Sequence, residues 1–156
     1  MAGEAEFSYA SPVTVSSSSA TVAVGDVSGT ATVVAALTSA NHSNYPIGDA
    51  RLTFSGTNSI SSASATINLY RRDINIAGTS DSPILQTATA TYYMQKYVGT
   101  FVAQGTGASF STAQDLQCDN VPLSAECEFY IEDKLNIPVG AGWVLVVTPK
   151  TYAPGA

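Results

Sequence analysis

Basic residues are the first shortage. Three arginines and three lysines stand against 12 acidic residues, for a net charge of −6. Nucleic-acid binding needs clustered cations to displace counterions from phosphate, and a polybasic membrane anchor needs the same. Both classes are disfavoured. Charge of either sign is sparse at 12% of residues, about half the usual share. So little charge implies a surface of uncharged Ser and Thr, or one covered by neighbours. Histidine occurs once, as His42 in an Asn/Ser loop, and no Gly-x-Ser-x-Gly elbow exists, so a nucleophilic triad has no base. Two cysteines and one distant histidine do not make a zinc site. "GTGASF" at 105–110 and "GAGW" at 140–143 lack the lysine of a phosphate loop and the third glycine of a dinucleotide turn, and read as turns. No enzyme chemistry and no cofactor are expected. No apolar run approaches the roughly 18 residues that cross a bilayer. "MAGEAEF" lacks the apolar region of a signal peptide, so synthesis is expected in the cytoplasm and the "NHS" sequon at 41–43 is read as chance.

What is present is turn chemistry and short alternating segments. The 156 residues predict one domain with a real core. Residues 1–12 have no period and read as an N-terminal arm, expected to lie on a neighbouring chain, since such arms stay disordered unless held. Residues 13–156 read as one all-β domain. "PVTVS", "ATVAV", "GTATVVAAL", "ARLTFSG" with Leu52 and Phe54 inward, "SATINLYRRDINI", "KYVGTFVA", "ECEFYIED" and "WVLVVTP" are strands, the last ended by Pro149. "TSANHSNYPIGD" and "ASFSTAQDLQCDNVPL" read as loops. Short strands spaced by turns predict an antiparallel β-sandwich, jelly-roll-like in form.

Two of the three arginines, Arg71 and Arg72, interrupt the longest strand. Ile67 and Leu69 fall on odd positions and Ile74 and Ile76 on even ones. Strand side chains alternate with a period of two, so the flip predicts a bulge or bend at 71–73 with both arginines pointing outward. Their partners are acids of this chain or an acidic patch on another subunit. In "SAECEFYIED", Ala125, Cys127, Phe129 and Ile131 take one face and Glu126, Glu128, Tyr130 and Glu132 the other. Cys127 is thus a core residue, while Cys118 lies in a polar loop; a cytoplasmic origin argues against their pairing. Glu126 and Glu128 lie on the order of 7 Å apart, within reach of glycosidase chemistry, but two acids on one strand face read more simply as solvated. With Glu132 and Asp133 they form the most acidic run, a candidate partner for Arg71 or Arg72. Eight tyrosines exceed the needs of a small core. Tyr92 and Tyr93, with Tyr97, and Phe7 and Tyr9 in the arm are interface candidates, with sugar stacking and edge packing as the competing uses.

"INLYRRDIN", "KYVGTFVAQG" and "VPLSAECEFYIEDKLNIPVGAGWVLVVTPKTYAP" resemble small β-sandwich virion proteins of tailed bacteriophages, of the capsid decoration or cement type. The likeness covers about residues 66–152 and rests on strand texture. It implies a protein that joins the capsid exterior, forms trimers or dimers and clamps neighbouring copies of the major capsid protein. The alternative expectation is a head-fibre or tail-associated module that recognises a cell-surface glycan.

Overall fold

The computed structural model describes residues 6–18, 21–28, 33–34, 45–54, 65–74, 97–103, 114–135 and 137–153. Among them there is no helix. Nine strands run in chain order: β1 (Glu6–Tyr9), β2 (Val13–Ser18), β3 (Val33–Val34), β4 (Ile47–Phe54), β5 (Thr66–Asp73), β6 (Tyr97–Val102), β7 (Gln114–Pro122), β8 (Cys127–Lys134) and β9 (Trp143–Ala153). The larger sheet has the order β3-β2-β9-β4-β7, with β1 also paired to β9, and the smaller has the order β6-β5-β8. All pairings are antiparallel. The sheets pack face to face as a β-sandwich.

Alternation builds the core between them. Trp143, Leu145 and Val147 of β9, Ala50, Leu52 and Phe54 of β4, Ile67 and Leu69 of β5, and Cys127, Phe129 and Ile131 of β8 all point inward and are buried. Burial of each large apolar side chain contributes about 1.5–3 kcal/mol. Leu52, Phe54 and Cys127 therefore lie where their alternation placed them. Ala125 does not: it is exposed, just ahead of β8.

Three expectations are corrected. Residues 6–9 are an edge strand on this chain's own β9, with Glu6 opposite Ala153 and Tyr9 opposite Lys150. Pro149 does not end β9. The Ala10 N–H donates to Pro149 O at 2.8 Å, so the proline's backbone groups face the junction between β1 and β2, and its missing donor is not needed by β4 on the other side. "LQCDN" is not a loop but lies within β7, with Leu116 and Cys118 turned toward the core and Gln117 and Asp119 outward. The register with β4 slips between Gly48 and Ala50, where β7 carries one extra residue. Asn120 at φ 57° makes the bulge.

The bulge expected at 71–73 lies elsewhere. β5 pairs with β8 without a break from Thr66–Lys134 to Asp73–Cys127. The irregularity is on its other flank: Leu69 faces Gly99 and Tyr70 faces Tyr97, so Val98 of β6 is the extra residue. Val98 consequently packs against the core, Tyr97 stays on the outer face, and its ring meets Tyr70 edge-on at 6.1 Å. Ile76 lies outside the described residues.

The inward face of β6 also carries Gly99, which packs against Cys118 and Val121 of β7 in the other sheet. A Cβ there would sit 2.4 Å from Cys118 Sγ of β7. Gly99→Ala is expected to destabilise the domain by about 1–3 kcal/mol through overpacking. Adding Cys118→Ala removes the clashing sulfur and should recover most of that loss. Urea denaturation of both single variants and the double variant measures the coupling, and strictly additive losses would show that the contact is not the cause.

Candidate functional site

The outer face of the small sheet gathers most of the polar residues singled out from sequence. Asn68, Tyr70 and Arg72 of β5 stand opposite Glu132, Tyr130 and Glu128 of β8. Arg72 Nη1 meets Glu128 Oε2 at 2.8 Å, and Tyr130 donates its hydroxyl to the same oxygen at 2.8 Å. Tyr70 and Asn68 donate to Glu132 Oε2 at 2.8 and 2.9 Å, and Lys134 Nζ lies 2.6 Å from Glu132 Oε1. Thr100 of β6 extends the network by donating to Asn68 Oδ1 at 3.1 Å.

This face is not the solvated one that the spacing of its acids predicts. Glu132 is 2% exposed, and Tyr70 and Tyr130 are buried. Every charge in it meets a counter-charge or hydroxyl, which is what permits burial. Burial, then the hydrogen bonds to Glu132 and Glu128, push both phenols up to about 12. Burial alone would raise the Glu132 carboxyl, but its bonds from Lys134, Asn68 and Tyr70 prevail and hold it below the ordinary value. Each group is held by its partners. Among the described residues no group of three His, Cys, Asp and Glu side chains is placed to hold a metal ion. His42 lies outside them.

The other half of the arginine pair faces the opposite way. Arg71 shares the parity of Ile67 and Leu69 and points into the sandwich, at its end. Its Nε is in ion-pair contact with Asp73 at 2.8 Å, and its Nη1 donates to Pro122 O of β7 at 2.9 Å. Ser124 Oγ donates to the same carboxylate at 2.6 Å. Arg71 thus ties the small sheet to the large one. The expected outward pair is corrected: an inward cation is tolerated because the open end of the sandwich supplies both a carboxylate and a carbonyl. Arg71 and Arg72 both engage acids of this chain. Glu126 is half-buried, and its carbonyl accepts the Ile74 N–H at 3.1 Å. Tyr92 and Tyr93 lie outside the described residues.

What remains open is the outer face of β1 and β9. Phe7, Tyr9 and Tyr152 are 38%, 54% and 64% exposed. Phe7 sits directly across from Tyr152, with ring centroids 4.5 Å apart, and Tyr9 follows at 6.2 Å from Phe7. Beneath them Lys150, whose side chain is buried, places Nζ 2.5 Å from Asp49 Oδ1 and 4.8 Å from the Phe7 ring centroid. Asp49 Oδ1 also accepts the Asn120 N–H at 3.1 Å, at the β7 bulge. A chain of contacts therefore runs across four adjacent strands, from Asn120 through Asp49 and Lys150 to Phe7. It holds the rings on a rigid floor by ion pairing and cation–π attraction. Phe7 and Tyr9 were marked in the sequence; Tyr152 and Lys150 were not. Their signal was the two-residue spacing in "PKTY", hidden by reading Pro149 as a strand end.

No protein-family model matches the chain, and comparison with curated proteins and with solved structures returned no match.

The acidic run generates a pH dependence. Asp133 is fully buried on the core side, and its carboxylate accepts N–H groups from Leu135 at 2.7 Å and Val139 at 3.0 Å. Burial pushes its carboxyl up to about 6 from 3.8, against those two bonds. The folded chain therefore holds this proton more tightly than the unfolded chain does. The resulting stability is full below about pH 4 and is lost as the pH rises through about 6, a difference of roughly 3 kcal/mol at about 1.4 kcal/mol per pH unit. Glu132 acts oppositely, and only below its ordinary value of 4.5. Between pH 4.5 and 6.5 the wild-type urea midpoint should fall with rising pH, and Asp133→Asn should flatten that slope. An unchanged slope in the variant would exclude Asp133 as the titrating group.

Proposed function

We propose that the chain is a non-enzymatic virion protein that decorates or cements the exterior of a tailed-phage capsid by binding neighbouring capsid subunits. The observation that carries the reading is the ring patch of Phe7, Tyr9 and Tyr152, exposed yet fixed on paired strands. Aromatic side chains presented rigidly lose little conformational entropy on binding, which is why they anchor protein interfaces. Their exposed area is on the order of 300 Å2, the scale at which a surface patch is often functional. Support comes also from the scarcity of charge, and from the likeness of residues 66–152 to phage β-sandwich virion proteins. A lattice of identical subunits multiplies such small contacts, so modest single-site affinity suffices.

The glycan-recognising module uses the same rings differently, by stacking on sugar faces, and the two readings separate experimentally. Tyr9→Ser with Tyr152→Ser removes two exposed rings and leaves Phe7 over Lys150. The melting temperature should change by no more than a few degrees, as surface substitutions do. Copy number on capsids incubated with limiting protein, read by gel densitometry, should fall about tenfold or more, since an anchoring ring contributes on the order of 1–2 kcal/mol. Full occupancy by the variant would overturn the capsid reading. Glycan-array binding by the wild type that disappears in the variant would replace it with the receptor-binding one.

A further inference from the structure

We infer that the free edge of β1 pairs with β1 of a second copy about a two-fold axis at Ser8, so that two copies merge their ring patches into one binding face; this deepens the assembly reading above and rests on it. The hydrogen-bond parity of β1 is set by the Ala10 N–H, which donates to Pro149 O at 2.8 Å. Backbone groups along an antiparallel strand alternate sides, so those of Ser8 and Glu6 also face β9, and those of Phe7 and Tyr9 point away from it. Among the described residues no strand lies beyond β1. The strand carries no lysine, no proline and no bulge, the usual guards of an exposed edge, and all four of its residues are exposed.

The edge is complementary to itself. With the axis at Ser8, Phe7 lies opposite Tyr9 of the second copy and the reverse, so every outward N–H and C=O of both strands finds a partner. An axis at Phe7 or Tyr9 would match one of those residues to a position outside the strand. Glu6, the charged residue of β1, falls opposite the neutral Ala10 of the second copy, so like charges do not meet. Lys150 is already neutralised by Asp49.

Pairing at the edge leaves the rings free, because they project from the sheet face. It sets them in two rows, each running from Tyr152 and Phe7 of one copy to Tyr9 of the other. The merged patch doubles to on the order of 600 Å2. The edge itself buries less than the roughly 1,200 Å2 expected of a stable complex. The pair is therefore transient in dilute solution, and a covalent trap is the proper test.

On the axis Ser8 meets its own copy in a non-hydrogen-bonded pair, where Cα atoms lie about 4.5 Å apart, within disulfide range. Isolated Ser8→Cys protein, mildly oxidised at high concentration, should run as a disulfide-linked dimer on a non-reducing gel. The wild type should stay monomeric, since Cys127 is buried and Cys118 faces the core. Glu6→Cys should also stay monomeric, because the two positions are separated by four residues, roughly 13 Å. Tyr9→Pro removes an outward N–H and spares the ladder with β9, so added to Ser8→Cys it should slow cross-linking at least tenfold; Tyr9→Ala keeps the N–H and should not. Cross-linking of Ser8→Cys no faster than Glu6→Cys, or equal in the proline and alanine variants, would overturn the pairing. The gel needs no capsid, so lost capsid binding with intact cross-linking would count against the assembly reading and leave the pairing standing.

Discussion

The large sheet depends on the reach of β9. At 11 residues it is longer than each strand beside it. One flank pairs with β4 from Val144 to Lys150. The other is shared in series by β2, along Trp143–Val147, and β1, along Lys150–Ala153. The junction falls at Pro149, the one position of β9 with no N–H to give, and β2 and β1 are separated there by Ala10, Ser11 and Pro12. The inward residues of β9 form the core, and its far end extends past β2 to carry Lys150 and Tyr152. Fold and candidate surface are thus two lengths of one strand, and β1 can pair there because β2 does not reach that far.

Much of this was legible as alternation. Leu52 and Phe54, or Cys127, Phe129 and Ile131, fall inside because a period of two leaves no other choice once one face is apolar. Alternation was silent on which of two neighbouring strands bulges. The parity flip around Arg71 predicts a bulge in β5, whereas the extra residue is Val98 on β6, and Arg71 keeps the inward parity. The misleading premise was that charge marks the outside. At the open end of a sandwich an inward guanidinium finds Asp73, a partner the sequence offers two residues on, and Pro122 O, which only the fold brings near.

The candidate surface was half legible for a related reason. Phe7 and Tyr9 stand out because aromatic residues without a core period need a different explanation. Their β9 counterparts were masked by Pro149, since a proline's effect depends on which flank its missing donor faces. Lys150 and Asp49, 101 positions apart in sequence, meet only because β4 and β9 are adjacent. Such pairs follow from topology, and no local pattern announces them.

The same geometry explains why so few charges suffice. Five of the six basic residues lie in the described region, and each has a carboxylate on this chain: Arg51 with Asp115, Arg71 with Asp73, Arg72 with Glu128, Lys134 with Glu132 and Lys150 with Asp49. Three of the five pairs join different strands; Lys134 with Glu132 lies within β8, and Arg71 with Asp73 lies within β5 where it reaches the sandwich end. These five cations are committed to acids of this chain. Among the described residues the cation at the ring patch, Lys150, is paired with Asp49, so no free positive charge there would steer a proposed partner. The proposed association at this surface would draw on ring burial and backbone pairing, which act at contact and are weakly screened by salt. On the proposed assembly reading, that combination would give a slow encounter and an attachment set by shape, strengthened on a lattice where sites repeat.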